Sequence, residues 1–486
     1  MHKPSVERNP AVLAIIAGPM KPRLGFSLVL AAAFAAGTEV TAAAERVPLP
    51  ETPGRGIVPG AYPGRPPDEA LSIPEDILAR RDHLTLVDVL DVALRNDPAT
   101  QFAWRDARSR ADALGAAKAD WWPELDVTLA GTRANTPSLQ TTYGPGAALT
   151  YLLADFGERS GNIASARDSA LGAVWAHGAT VQGTVLRTIE AYIAYVDAKA
   201  QLVAARITEA EAETNLDAAE RRRDAGLATI ADVLQGKTQR SQAKLIAQTI
   251  EGSIGSLRGA LATAMGLPAN VSFEVGELPA EVPTIDFGGT VEELIAKALG
   301  RRPDLAAARE AWLASQADVT AKRGKWLPKL NFTGVVNRNY YDPQPYAEKS
   351  DIWSVGLVLR IPVFNGLRNK YEIAGAREDA GRAAAQARAV EQVVINQVWT
   401  SWYDLKTAAL RIETSKDLLD SATASEQVAL GRYQEGVGLL LDLLNAQSAL
   451  AAARAQEIAA RADWLLAAAR LTYSTGGLTG PEALPR

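Results

Sequence analysis

The sequence predicts a mainly α-helical chain, duplicated end to end, whose halves each contribute a strand hairpin to a membrane β-barrel. Three observations carry this reading. Residues 158–225 and 367–434 contain no proline and are dense in alanine, glutamate, arginine and leucine, as long helices are. The stretches after "WWP" and "WLP" change their apolar period from 3.6 to 2. The chain also matches itself, first at a shift of 205 residues and then at 210.

The 205-residue shift lays "TLVDVLDVALRNDPAT" on "TVEELIAKALGRRPDL" and brings Trp121 onto Trp326, Pro123 onto Pro328 and Leu125 onto Leu330. The 210-residue shift lays "GLATIADVLQ" on "GVGLLLDLLN", so that Gly226 meets Gly436 and Asp232 meets Asp442. So long a period is a duplication of a structural half, not a solenoid repeat. The organisation expected is a signal peptide at 1–44, a proline-rich segment at 45–83, a first repeat at 84–266, a connector at 267–289, a second repeat at 290–477 and a tail at 478–486.

At the N-terminus, Lys21 and Arg23 precede the apolar run "LGFSLVLAAAFAAG", and "TAAAER" offers a small-residue cleavage site near Ala44. A membrane anchor is the alternative, but the run is shorter than the ~20 residues a spanning helix needs. The mature protein is therefore expected outside the cytoplasm. Prolines crowd residues 46–78, as in an extended linker.

In each repeat, Thr85 with Asp88 and Thr290 with Glu293 have capping-box spacing and open a short helix. Pro98 and Pro303 suit the first turn of a second helix, expected to run to Trp121 or Trp326 and to be stopped by Pro123 or Pro328. Hairpins follow at 125–156 and 330–364. Leu125, Val127 and Leu129 alternate with Asp126, Thr128 and Ala130, and Leu330 and Phe332 with Asn331 and Thr333. The loops "ANTPSLQTTYGPG" and "NYYDPQPYAEKSD" separate them from the return strands "AALTYLLADF" and "IWSVGLVLRIPVF". The strands expected are about 9 to 11 residues long, enough for a tilted strand to cross a bilayer. Long helices come next, with Val181, Val185, Ile189, Tyr192 and Val196 in a coiled-coil-like stripe. Their 68 residues at ~1.5 Å each would reach on the order of 100 Å. After a glycine turn, second helices return over 229–265 and 439–473. The connector reads as loop with one short strand.

Four strands with an apolar face cannot stand open in lipid, and closed barrels need about eight strands or more. Two copies would supply eight and three would supply twelve, so an oligomeric barrel is implied without its number.

Composition narrows the chemistry. The chain carries 51 basic against 56 acidic residues, net −5, with no basic patch that would suit nucleic acid. It has no cysteine and three scattered histidines, His2, His83 and His177, which leaves no disulfide, thiolate or histidine-cluster metal site. Neither a catalytic constellation nor a cofactor motif is present, so the chain reads as a non-enzyme needing no cofactor.

The duplication, the "WxPxL" before each first strand, "VGLVLRIPVF" and "RYQEGVGLLLDLLNAQ" together resemble the TolC-like outer-membrane efflux protein family from about residue 84 to 475. The resemblance implies a homotrimer with a twelve-stranded barrel in outer-membrane lipid and a helical tunnel through the periplasm. It further implies a periplasmic adaptor and an inner-membrane pump docked at the tunnel tip, as in tripartite efflux or type I secretion. Cargo, small molecules or polypeptides, would pass without chemistry. On the same resemblance Asp442 and Asn445 line the periplasmic aperture, the latter at a position that is acidic in some relatives. Asp232 and Tyr433 form a link between helical pairs, and Gly438 stands where some relatives have arginine. The adaptor-contact turns are Gly226, Leu227, Gly436, Val437, Gly438 and Leu439.

Simpler roles stand beside these. Gly226 and Gly436 serve equally as helix C-caps, and Asp232 and Asp442 as first-turn acids favoured by the helix dipole. Trp121, Trp326 and Trp353 are expected as membrane-interface anchors, with core packing the alternative; Pro123 and Pro328 mark the helix-to-strand passages. Two other classes fit less well. A periplasmic adaptor would show a lipoyl-like half-motif and one helical hairpin, and a structural coiled-coil protein would not need strands of membrane-spanning length.

Overall fold

The computed structural model describes residues 73, 74, 77, 79–135, 139–279, 289–342 and 349–478. The expected signal peptide, most of the proline-rich segment, residues 280–288 of the connector and nearly all of the tail lie outside them. Each repeat opens with a short helix, α1 (Leu86–Asn96) or α5 (Val291–Arg301), and continues into α2 (Pro98–Ala119) or α6 (Pro303–Gly324). The strands are β1 (Glu124–Asn135) and β2 (Leu139–Ala154) in the first repeat, and β3 (Lys329–Asp342) and β4 (Lys349–Arg360) in the second. Long helices α3 (Glu158–Asp224) and α7 (Arg368–Gln434) follow, then α4 (Ile230–Ala264) and α8 (Leu440–Ser474). Both bounds of α3 and α4 recur 210 residues on in α7 and α8, and those of α1 and α2 recur 205 residues on in α5 and α6.

Local chemistry explains these ends. The amide of Asp88 donates to Thr85 Oγ1 at 3.3 Å and Thr85 N donates to Asp88 Oδ2 at 3.0 Å, and Thr290 with Glu293 makes the same box. The long helices stop because Gly226 and Gly436 take left-handed backbone, φ 74° and 76°. That turn lets Leu227 N reach Arg222 O at 2.7 Å and Val437 N reach Arg432 O at 3.0 Å, a Schellman closure.

Two expectations change at the strands. The helices end at Ala119 and Gly324, before the tryptophans, which sit in short exit turns: Trp121 N donates to Lys118 O and Trp326 N to Arg323 O. Pro123 and Pro328 therefore lead into the strands without stopping the helices themselves, and bias the residue before each toward extended backbone. The strands are also longer than expected, at 12, 16, 14 and 12 residues. Most of "ANTPSLQTTYGPG" is strand. Gly144-Pro145-Gly146 lies inside β2, where Pro145 pairs opposite Leu129 and the pairing with β3 steps from Tyr143↔Tyr340 to Gly146↔Asn337. A Cβ on Gly144 would stand 1.7 Å from Arg338 O, so the glycine lets β3 approach while the proline leaves its rung undonated. β4 ends at Arg360, short of "IPVF".

The strands form one antiparallel sheet in the order β1-β2-β3-β4, which leaves β1 and β4 as edges. Register fixes its faces. Leu125, Leu149, Gly334 and Val355 share one row, and Val127, Ala147, Val336 and Trp353 the next, all on the apolar face. Asp126, Ala148, Val335 and Ser354 lie on the other, with Thr128, Thr333 and Asn331. Below the sheet, Leu84, Val89, Val92, Tyr195, Leu261 and Phe273 form a core in the first repeat, and Leu294, Leu305, Val394, Val398, Trp464 and Leu471 form its counterpart. The short strand expected in the connector is a single parallel bridge, Leu84 to Val275, that ties the connector to the first core.

Candidate functional site: the helical tips and the apolar sheet

The tips of all four long helices converge on one cluster. Leu216, Ala219, Val233, Leu440, Leu443 and Leu444 surround Tyr433, which is buried. The guanidinium of Arg222 crosses from α3 to this tyrosine. Its Nη1 donates to the Tyr433 carbonyl at 2.7 Å, and its Cζ stands 4.7 Å from the ring centroid. A charged donor on a carbonyl, with the cation also over an aromatic face, is among the stronger single contacts available at a partly exposed site. Gly436 is part of it, since a Cβ there would lie 3.5 Å from Arg222 Nη2.

Asp232 is engaged elsewhere. Its Oδ2 accepts from both Thr229 N and Thr229 Oγ1 at 2.8 Å, in a capping box that starts α4. Within one chain Asp232 bonds Thr229, and Tyr433 is met by Arg222. In the second turn, α8 begins at Leu439 without a side-chain cap, and Gly438 N instead donates to Arg432 O at 2.9 Å. A Cβ on Gly438 would meet Arg432 Cβ at 3.0 Å, which accounts for glycine here. Asp442 and Asn445 share one exposed stripe of α8, opposite buried Leu443 and Leu444. Leu227, Val437 and Leu439 project into solvent at the turns.

A seam of polar contacts climbs from the tip between α3 and α8. Asn215 Nδ2 donates to Gln447 Oε1 at 2.5 Å, Arg454 Nη1 to Glu211 Oε1 at 3.1 Å, and Arg470 Nε to Glu190 Oε1 at 3.0 Å. In the same register Asp197 faces Asp463. Burial pushes the Asp197 carboxyl above the ordinary carboxylate range; a hydrogen bond from Gln201 opposes this in part, and the Asp463 charge adds to it. Asp463 also accepts from Arg411 Nη1 at 2.8 Å. A carboxyl whose folded pKa lies above its unfolded value carries no penalty below the unfolded pKa and its full penalty above the folded one. The seam should therefore strengthen as pH falls through the folded pKa. Asp197→Asn should flatten that response: denaturant stability of the detergent-solubilised protein, followed from the ordinary carboxylate range, about pH 4, up to about pH 7.5, should change less than in wild type. An unaltered pH response in the variant would remove Asp197 from the seam's titration.

At the other end, Trp121 and Trp326 sit where helices pass into strands. The Arg159 guanidinium stacks 3.6 Å from the Trp121 centroid and its Nη1 donates to Asp120 O and Leu152 O. Trp353 lies in the last wholly apolar row of the sheet, since the next row holds Leu129, Pro145 and the Arg338–Asp351 ion pair at 2.7 Å. One row further, Tyr143 and Tyr340 stack at 5.6 Å, a pair not marked by the sequence because both fall in expected loop or late strand. Among the described residues no group of three or more metal-ligating side chains occurs, and no helix is long and apolar enough to cross a membrane. Among these residues the sheet presents one continuous apolar face.

The sequence model of the outer membrane efflux protein family matches residues 89–267 and 294–477, most of the chain and both repeats. The chain belongs to this family. Protein CyaE of Bordetella pertussis is 28% identical over 408 residues, covering 80% of this chain and 85% of that protein. Outer membrane efflux protein BepC of Brucella suis is 24% identical, covering 82% and 86%. In fold, the efflux protein is similar to the outer membrane protein VceC of Vibrio cholerae, with a TM-score of 0.72 at 17% identity, over 80% of this chain and 96% of that one. A membrane protein of Pseudomonas aeruginosa gives a TM-score of 0.73 at 23% identity, over 86% and 99%. The efflux protein thus works in the outer membrane: the strands supply the barrel there, the helices lie in the periplasm, and its function is export.

Proposed function

We propose that three copies of the chain close one barrel and one helical tunnel, as the outer-membrane conduit of a tripartite efflux or type I secretion system. What supports this is a set of contacts made once where the duplication calls for them twice. Within the chain β2 pairs with β3, and α3 packs on α6 and α8. The counterparts, β4 with β1, and α7 with α2 and α4, have no comparable packing inside one chain. A neighbour's first repeat supplies them all. The strand directions agree, since in an antiparallel order of four the edges β4 and β1 of successive copies run antiparallel. Two copies reach the minimum of about eight strands; the family resemblance favours three.

At the periplasmic end, Asp442 and Asn445 narrow the aperture. The exposed turns at Gly226, Leu227, Gly436, Val437, Gly438 and Leu439 take the helical hairpin of a periplasmic adaptor that couples to an inner-membrane pump. Arg222 on Tyr433 holds the closed tip, with Asp232 fixing the start of the adjoining helix. Trp121, Trp326 and Trp353 anchor the barrel at the lipid interfaces. Cargo, small molecules or polypeptides, passes without chemistry and without a cofactor.

Single-channel conductance in planar bilayers tests this. The wild-type protein should open a pore, and Asp442→Ala should change its conductance and cation preference. If no pore forms, the conduit reading fails; unchanged conductance and selectivity in the variant would take Asp442 out of the aperture.

A further inference from the structure

Resting on the oligomeric reading above, we infer that the seam between neighbouring copies is keyed by size. Trp399 and Tyr403 on α7 of one copy seat in a groove formed by Gly252, Gly255 and Ser256 on α4 of the next.

The template is inside the chain. Ile189 and Ile193 of α3 are buried in a cluster with Ala462 and Ala469 of α8, and Leu465 and Leu466 pack on the same cluster. Because α3 and α4 recur at a shift of 210 residues with identical bounds, each of these positions has a counterpart of known place. Ile189 and Ile193 become Trp399 and Tyr403; Ala462, Leu465 and Leu466 become Gly252, Gly255 and Ser256. The change is compensating. One side of the contact grows from isoleucine to aromatic, and the other shrinks from leucine and alanine to glycine and serine.

Exposure agrees with an absent partner. Ile189 and Ile193 are 1% and 7% exposed, whereas Trp399 and Tyr403 are 45% and 44% exposed. On α4, a Cβ added to Gly252 or Gly255 would meet nothing within 4 Å, so that face is open. The aromatic side is already shaped. Trp399 and Tyr403 rings lie 5.1 Å apart and Trp402 meets Tyr403 edge-on at 4.8 Å, so little side-chain freedom remains to be lost on docking.

Keying has a consequence beyond affinity. Leu465 and Leu466 fill the place in α8 that a tryptophan would need, so α7 does not fit the socket used by α3. The two seams of the ring are not interchangeable, and repeats must alternate in one order.

The chain, which has no cysteine of its own, suits a cross-linking test. Tyr403→Cys on one tagged copy and Gly255→Cys on a differently tagged copy are co-expressed in outer membranes and treated with a short thiol-reactive cross-linker. The expected product carries both tags at the mass of two chains. A product of any other mass, or none while native mass spectrometry shows intact oligomers, overturns the keyed seam and leaves the oligomeric reading standing. Monomers alone for the untreated wild type overturn both. A size exchange gives a second arm. Gly255→Leu should weaken association by about tenfold or more per seam through overpacking. Adding Tyr403→Ile, which recreates the in-chain pairing of Ile193 with Leu465, should recover most of that loss. Failure of the double variant to improve on Gly255→Leu also overturns the inference.

Discussion

Replacing Val127 with arginine should reduce stable insertion, whereas the same replacement one residue along, at Thr128, should be tolerated. Val127 lies on the apolar sheet face, in the row of Ala147, Val336 and Trp353, and Thr128 on the polar face with Gly146 and Asn337. An arginine facing lipid costs about 2 to 4 kcal/mol at the midplane and less toward an interface; the Val127 row ends the apolar band, so the cost per copy is reduced, and a ring of three copies would carry it three times. One facing a water-filled lumen costs little. The measurement is the amount of heat-modifiable, detergent-extracted oligomer recovered from outer membranes for each variant. Equal recovery of Val127→Arg and Thr128→Arg would mean that the two faces have been assigned to the wrong solvents. Thr128→Arg should additionally shift ion preference toward anions, a readout that a purely structural position would not move.

Arg222→Ala should loosen the closed tip. The guanidinium makes a charge-assisted hydrogen bond to the Tyr433 carbonyl and covers its ring, and such bonds contribute about 1.5 to 3 kcal/mol. If the closed state alone contains this contact, its loss raises the open fraction about tenfold or more. Cells carrying the variant should admit a bulky antibiotic that the outer membrane normally excludes, and the channel should spend longer in its high-conductance state. Arg222→Lys keeps the charge without the planar fork and should fall between. Tyr433→Phe retains both carbonyl and ring and should behave almost as wild type. Asp232→Ala removes a capping box, for which about 1 kcal/mol of helix stability is typical, and should leak less than Arg222→Ala. Leakage from Tyr433→Phe and Asp232→Ala equal to that of Arg222→Ala would restore the link expected from the family resemblance.

These two predictions draw on different depths of the structure. The sheet face behind the first was legible early, because alternation along a strand is a property of neighbours in sequence: Leu125, Val127 and Leu129 against Asp126, Thr128 and Ala130. The helices were legible for the same reason. Thr85 with Asp88 and Thr290 with Glu293 announce their starts within four residues, and Gly226 and Gly436 their ends within one. Where local signals misled, tertiary pairing had overridden them. Gly144-Pro145-Gly146 reads as a turn, yet it is strand, since β1 pairs along its whole length and β3 lies so close to Gly144 that any side chain would collide.

Arg222 behind the second prediction was not legible. It is the middle of three arginines at a helix C-terminus, where basic residues are expected on dipole grounds alone, and its partner lies 211 residues away. Asn215 and Gln447 were hidden likewise, each an unremarked polar residue in a helix until α3 and α8 come together. Asp232 shows the converse. Its matching position in the family suggests a long-range link, while Thr229 three residues earlier engages one carboxylate oxygen in a capping box.

By itself, then, the sequence determined the duplication, the helices with their caps and turns, and the apolar and polar faces of the sheet. Each is set by residues within a few positions of one another, or by a pattern repeated at a fixed shift. Only the tertiary structure decided which arginine holds Tyr433, which carboxylates face each other across α3 and α8, and which aromatic face is left without a partner. Those depend on the rotation of one helix against another. A shift of one residue turns a helical side chain by about 100°, so sequence spacing alone does not fix which residues meet.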